Sequence, residues 1–244
     1  MTALSVNVNK LALLRNSRGR NYPDLLRFAT RFIELGVHGI TVHPRPDERH
    51  VRRADARELA AFLQDFPQVE FNIEGYPSPD FLQLIKETRP HQCTLVPDAD
   101  NQLTSDHGWN CREQGGLLGP LVQQVKDLGV RAAVFLDPDA EQAEHAARLG
   151  ADRIELYTEA YAQAFATRAQ DAVTQQYHNA ALRAQEAGLG VNAGHDLDLH
   201  NLGTFLEIPG ILEVSIGHAL TVECIEEGMQ NVIKRYLAIC QQSA

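Results

Sequence analysis

Residues 132–156, AAVFLDPDAEQAEHAARLGADRIEL, decide the fold class. The unbroken apolar run Ala132–Leu136 reads as a strand of a parallel sheet, buried on both faces. The helical stretch AEQAEHAARLG follows and ends on Gly150, as a helix C-cap should. A second apolar run, Arg153–Leu156, then starts the next strand. Strand, helix and strand in this order form a βα unit that returns to the same sheet.

The same grammar repeats on either side. Strands are expected at Leu4–Val8, Gly39–Val42, Val69–Ile73, Gln92–Val96, Gly190–Asn192 and Glu213–Ile216, which with the two above makes eight. Helical stretches such as DLLRFATRFIEL, ARELAAFLQDF, PDFLQLIKET and LGPLVQQVKDL separate them, and Gly36, Gly129 and Gly188 close helices as Gly150 does. The sixth helix is expected within Ala160–Ala187 and the eighth over Cys224–Ile239. An open doubly wound sheet shares this local pattern. Eight units in 244 residues, with no second composition regime, favour a closed (β/α)8 barrel. No linker or low-complexity tract interrupts the chain, so residues 1–244 are expected to form one catalytic domain.

Composition excludes several classes. No apolar run approaches the ~18 residues a membrane span requires. MTALSVNVNKLALL lacks the basic-then-apolar layout of a signal peptide, so a cytoplasmic protein is expected. The four cysteines form no CxxC pair and read as reduced thiols. A net charge of −10 argues against nucleic-acid partners, since no basic stripe replaces phosphate counterions. Small anionic substrates remain open, because a few local arginines bind a phosphate on an acidic protein.

The strand ends carry the chemistry. Strand one ends VNVNK (6–10), strand two TVHPR (41–45), strand three NIE (72–74), strand seven NAGHD (192–196) and strand eight SIGH (215–218). In a barrel these tips converge on one pocket. His43 exchanges protons near neutral pH, and Arg45, Arg49 and His50 crowd beside it in an anion-binding composition. Glu74 directly follows an apolar strand, where burial raises a carboxyl into a working range. His195 is a candidate general acid. Gly217-His218 opens the eighth helix, the usual barrel phosphate site. Arg15 and Arg18, on a loop beside strand one, are in reach of a second phosphate. Thr104 and Ser105 lie in the long polar loop Pro97–Leu117, and His43–Ala54 is long and polar too. Loops of this length act as lids or binding segments.

In this order, VNxxxLALLRNSRGxxYPD, GITVHPRPDERH, NIE, LVPD with LTSDHGW, IELYT, VNAGHD and SIGHA resemble the pyridoxine 5′-phosphate synthase family over nearly the whole chain. The resemblance implies a (β/α)8 barrel that condenses 1-deoxy-D-xylulose 5-phosphate with 3-amino-2-oxopropyl phosphate, without metal or organic cofactor. It implies His43 as proton acceptor, Glu74 as a second acid/base and His195 as proton donor. Asn7, Arg18, Asp196, Gly217 and His218 match positions that hold the amino-ketone phosphate. Asn9, Lys10, Arg45, His50 and Thr104 match those that hold the deoxyxylulose phosphate. It also implies a symmetric homo-oligomer, typically an octamer. The chain departs from the family pattern at Asn9-Lys10, where Asp-His is usual, and at Asp196, where Gly is usual. A carboxylate there repels phosphate, which leaves the Asp196 backbone N–H as the contact.

Two other chemistries fit parts of the pattern. One is an epimerase or aldolase acting on sugar phosphates; a Schiff-base aldolase needs a strand-end lysine, and only Lys10 qualifies. A metal hydrolase using His43, His195 and Glu74 lacks any HxH or HExxH pair.

Overall fold

The computed structural model describes residues 1–98, 102 and 104–242. Eight parallel strands close on themselves in sequence order: β1 Ala3–Asn7, β2 Gly39–Val42, β3 Glu70–Gly75, β4 Gln92–Leu95, β5 Arg131–Leu136, β6 Arg153–Tyr157, β7 Gly190–Gly194 and β8 Ile211–Ile216. Closure comes from β1 pairing β8, with Ala3 opposite Glu213 and Val6 opposite Ile216. The (β/α)8 barrel expected from the sequence is what forms.

The helices are α1 Asn9–Asn16, α2 Leu25–Glu34, α3 Arg53–Phe62, α4 Pro79–Thr88, α5 Gly115–Asp127, α6 Ala140–Arg148, α7 Glu159–Ala164, α8 Gln170–Glu186, α9 Leu202–Phe205, α10 His218–Glu227 and α11 Met229–Gln242. Several start where capping chemistry dictates. Asp24 accepts from the Arg27 N–H at the head of α2, and Ser78 from Phe81 N–H at α4, where Pro79 occupies the first turn. The α2 residues Leu25, Ala29 and Phe32 lie on one face and are buried, as 3.6 residues per turn requires. No helix of the described residues is long and apolar enough to cross a membrane.

Three expectations need correcting. The sixth helical segment is two helices, α7 and α8, separated at Ala166, whose φ is 58°. The eighth is also two, because Gly228 at φ 85° ends α10 before α11 begins. The third is the segment around Arg15, which is not a loop. It closes α1, and Arg15 is buried there against Asp55, with both guanidinium–carboxylate contacts at 2.7 Å. That pairing removes Arg15 from any anion site.

The strands are not apolar on both faces. Alternation sends Val6, Val42, Phe71, Ile73, Cys93, Leu95, Ile154, Leu156 and Val191 outward into the core beneath the helices. Their alternates Ser5, Thr41, Asn72, Gln92, Thr94, Glu155, Asn192, Glu213 and Ser215 are buried and polar. Asn192 Nδ2 donates to Gln92 Oε1 at 3.2 Å. Because β4 and β7 are not neighbours in the sheet, this bond crosses the lumen. Thr94 donates to Asn72 Oδ1 at 3.1 Å, Arg131 to Gln92 Oε1 at 2.9 Å and Arg153 to Asn192 Oδ1 at 3.0 Å. A hydrogen-bonded lumen replaces the branched apolar filling usual in such barrels. The candidate site is its top layer.

Candidate active site

His43 follows β2 directly and continues the lumen-facing row begun by Thr41. Its backbone N–H donates to Asn9 Oδ1 at 3.0 Å, which fixes the start of the β2 loop against the start of α1. The side chain is 7% exposed and lies between two carboxyls. Nδ1 is 3.8 Å from Glu74 Oε2, and Nε2 is 3.7 Å from Asp98 Oδ2. Both separations exceed a hydrogen bond. Burial, reinforced by the positive charges of Arg45, His50, His195 and Arg49, holds the His43 pKa well below its ordinary value. Glu74 moves the opposite way. Burial, then the nearby Glu155, Asp98 and Glu213 carboxyls, push it well above the carboxylate range. Both shifts favour the uncharged forms, an imidazole that can accept a proton beside a carboxylic acid that can give one.

Glu74 lies inside β3, one residue before its end, and not after the strand as its sequence position suggests. Glu155 on β6 joins it from across the lumen. Its carboxylate rests against Gly194, where a Cβ would fall 2.3 Å from Glu155 Oε1. Burial, then Glu213, push Glu155 up to about 8. Asp98, just past β4, is also buried. Its Oδ2 accepts from Arg45 Nη2 at 2.5 Å and from Ser105 Oγ at 2.9 Å, and its Oδ1 is buried without a partner. Burial outweighs the Arg45 charge and raises its pKa. The sequence reading gave no role to Glu155 or Asp98. An acid at an alternate position of an otherwise apolar strand, as in RIELY, was the available signal for Glu155. Asp98 left none, because nothing local separates it from the other acids of its loop.

Arg45 is buried, and its Nη1 donates to the Gln102 carbonyl at 2.8 Å. Arg49 Nη1 donates to the same carbonyl at 3.1 Å. The loops after β2 and β4 are thus clasped over the pocket. His50 stands edge-on to His43, with ring centroids 6.4 Å apart. Burial, then the Arg45, Lys10 and Arg49 charges, lower it to about 4.

His195 closes the opposite side. Its Nδ1 lies 2.9 Å from Asp196 Oδ2 and its Nε2 3.1 Å from Thr104 Oγ1, with the Tyr157 ring edge-on at 5.0 Å. Asn7 ends β1, and Gly217 caps α10 beside it. A Cβ on Gly217 would come within 3.0 Å of the Asn7 Cβ and 3.1 Å of the Asn7 carbonyl. Only glycine lets the α10 N-terminus sit this close to the pocket, with free N–H groups. Half-buried Lys10 occupies the first turn of α1, and His218 is exposed at the head of α10. Arg18 is exposed beyond the end of α1.

The arrangement can remove a proton at His43, deliver one from Glu74 or His195, and hold anions at Arg45 and at the α10 N-terminus. Among the described residues, no three His, Cys, Asp or Glu side chains group in a way that would hold a metal ion.

Solved structures share the fold at low identity. The 3-hexulose-6-phosphate synthase from Salmonella typhimurium superimposes with a TM-score of 0.65, 12% identity and full coverage of both chains. The phosphoribosyl anthranilate isomerase from Thermotoga maritima gives 0.62, 12% identity and 99% of each chain. Sequence relatives are much nearer. A pyridoxine 5′-phosphate synthase from Xylella fastidiosa (strain M23) is 51% identical over 246 residues, covering 98% of this chain and 94% of that protein. One from Xanthomonas axonopodis pv. citri (strain 306) is also 51% identical, covering 98% and 96%. The family described as pyridoxal phosphate biosynthesis protein PdxJ matches residues 4–242. The chain belongs to the PdxJ family of pyridoxal phosphate biosynthesis proteins.

Proposed function

We propose that this protein is a pyridoxine 5′-phosphate synthase. It condenses 3-amino-2-oxopropyl phosphate with 1-deoxy-D-xylulose 5-phosphate, giving pyridoxine 5′-phosphate, phosphate and water in vitamin B6 biosynthesis. The observation that carries the reading is the buried pair His43 and Glu74, with Nδ1 3.8 Å from Glu74 Oε2, set between two anion-holding regions. Joining two phosphorylated carbonyl compounds and aromatising the ring requires protons to be taken and given in turn. A neutral imidazole accepts, a protonated carboxyl donates, and His195 supplies a second donor from the facing wall. Glu155, lodged between Glu74 and Gly194, adds a buried carboxyl to the same pocket.

Arg45, His50, Lys10, Asn9 and Thr104 surround one anion region and hold the deoxyxylulose phosphate. Asn7, Arg18, Gly217, His218 and the Asp196 N–H hold the amino-ketone phosphate. The Gln102 clasp excludes water from hydrolysable imine intermediates. No metal or organic cofactor enters this scheme. Residues 1–244 act as one catalytic domain in the cytoplasm.

The protein works as a homo-oligomer, an octamer by family resemblance. Exposed Leu13, Leu14, Val222 and Ile225 on the adjoining α1 and α10 offer apolar area for such contacts, and Arg18 stands on that side of the barrel. Light scattering on the purified protein reads the assembly size. Mixing the protein with both phosphorylated substrates, and following product ultraviolet absorbance and phosphate release together, tests the reaction. Both signals are expected only when both substrates are present. Phosphate release with either substrate alone, or no new chromophore, would overturn the reading.

A further inference from the structure

The His195-Asp196 step at the end of β7 is conformationally expensive. His195 has φ 82° and Asp196 φ 54°, so two consecutive non-glycine residues occupy the left-handed region, which costs free energy at each. The surrounding structure holds them there. The Thr158 hydroxyl donates to the Gly194 carbonyl at 2.8 Å and also to the His195 carbonyl. Asn201 Nδ2 donates to the Asp196 carbonyl at 3.1 Å. A glycine at 196 would adopt this backbone at no steric cost.

Among the described residues, what the aspartate side chain adds is one hydrogen bond. Its carboxylate turns back on its neighbour and takes the Nδ1 side of His195 at 2.9 Å. That hydrogen bond, with the charges of His195, His218 and Lys10, keeps the Asp196 carboxyl below the usual carboxylate range even though partial burial works against it. It is therefore an acceptor only. With Nδ1 committed as donor to Asp196, the other nitrogen, Nε2, faces Thr104 at 3.1 Å, and Tyr157 stands against the ring edge.

We infer that Asp196 is a positioning residue for His195: its carboxylate holds the Nδ1–H and the ring plane, so that the protonated ring gives its proton to substrate from Nε2 and the neutral ring left behind keeps its proton on Nδ1. This rests on the proton-donor role proposed for His195. It also gives the Asp196 side chain a task other than phosphate binding, for which its charge is wrong. The carboxylate spends its acceptor capacity on the imidazole, and the anion nearby sees the backbone N–H. An aspartate that orients a histidine in this way holds the tautomer that catalysis needs.

The test compares wild type with Asp196→Gly and Asp196→Asn, using ring-15N-labelled histidine and steady-state kinetics. The His195 signals are assigned by their loss in His195→Gln. In the wild type, on the neutral ring, Nδ1 is expected to carry the proton. In Asp196→Gly the ring is expected to revert towards the Nε2–H form that free imidazole side chains favour. Asp196→Gly is expected to lose at least about 10-fold in kcat, with KM for both substrates within about twofold. Its Tm is expected to hold or rise, by up to about 4 °C, because the left-handed strain is relieved. Asp196→Asn, whose amide oxygen still accepts from Nδ1–H, is expected to recover most of the lost kcat. A wild-type ring already protonated on Nε2, or an unchanged tautomer in Asp196→Gly, would overturn the inference. So would full kcat in Asp196→Gly despite a changed tautomer. Absence of pyridoxine 5′-phosphate from the wild type would instead sink the proposed reaction while leaving the tautomer measurement to stand.

Discussion

His43 shows how one side chain acquires its chemistry from its surroundings. Nothing in imidazole itself makes it a base that ignores two carboxyls less than 4 Å away. Burial, then the Arg45 and Arg49 guanidinium groups and any charge on His50 or His195, do so, by making the charged ring more costly than the neutral one. His43→Ala is expected to abolish pyridoxine 5′-phosphate formation, a loss of about 10²–10⁴ in kcat. Far-ultraviolet circular dichroism should be unchanged, since removing a ring beside polar groups leaves no apolar cavity. Near-normal initial rates in that variant would end its role as proton acceptor. The sequence made His43, Glu74 and His195 visible because each terminates an apolar run. It could not make Asp98 visible, because the feature that distinguishes Asp98 is a buried oxygen without a partner, and burial of a loop acid is set by the fold.

Among the elements, α1 has the least expected task. It leaves β1 at once, and its last turn grips the β2 loop. Arg15 makes a two-pronged contact with Asp55, while Asn16 Nδ2 donates to the Arg49 and His50 carbonyls at 3.1 and 2.8 Å. Asp55 in turn accepts from the Arg52 N–H at 2.7 Å at the head of α3. Two helices therefore brace the segment that carries Arg45, Arg49 and His50. Arg15→Ala leaves a buried carboxylate without its partner and is expected to destabilise by about 3–5 kcal/mol, read as a lower urea midpoint at unchanged slope. A midpoint within error of wild type would show that the brace is not structural. The motif LALLRNSRG holds both Arg15 and Asn16. Asp55, the partner of Arg15, lies 40 positions away, and such a pairing has no local signature. The breaks at Ala166 and Gly228 were hidden for a related reason: alanine is a good helix former, and a glycine between two amphipathic stretches is tolerated as often as it terminates.

At the scale of the barrel, the polar lumen sets the response to pH. Glu155 and Glu213 are raised to about 8 and about 7, in both cases chiefly by burial, so the folded protein keeps protons that the unfolded chain has already released. Their contribution is complete below about pH 4.5 and is lost as pH rises towards those values. His43 and His50 act oppositely. The unfolded chain binds their protons below about pH 6.5 and the folded state resists, so stability is lost as pH falls, for His50 between about 6.5 and about 4. Glu155→Gln is therefore expected to melt close to wild type at pH 5 and increasingly above it as pH approaches 8. A constant offset across that range would show that Glu155 ionises freely in the folded state. Part of the lumen was legible: VNVN, FNIE, IELY and VNA alternate strictly. Reading those runs as apolar on both faces overlooked that the inner face of a closed sheet can be satisfied by its own cross-barrel hydrogen bonds.

The clasp on Gln102 has a consequence for how this protein can vary. Arg45 and Arg49 both close on a main-chain oxygen, which every residue type supplies. Drift in side-chain identity at that position leaves the fastening intact. A single inserted or deleted residue between Asp98 and Gln102 shifts a different carbonyl to the two guanidinium groups, or none. Position 102 is therefore indexed by its place in the chain, free in spelling but fixed in register.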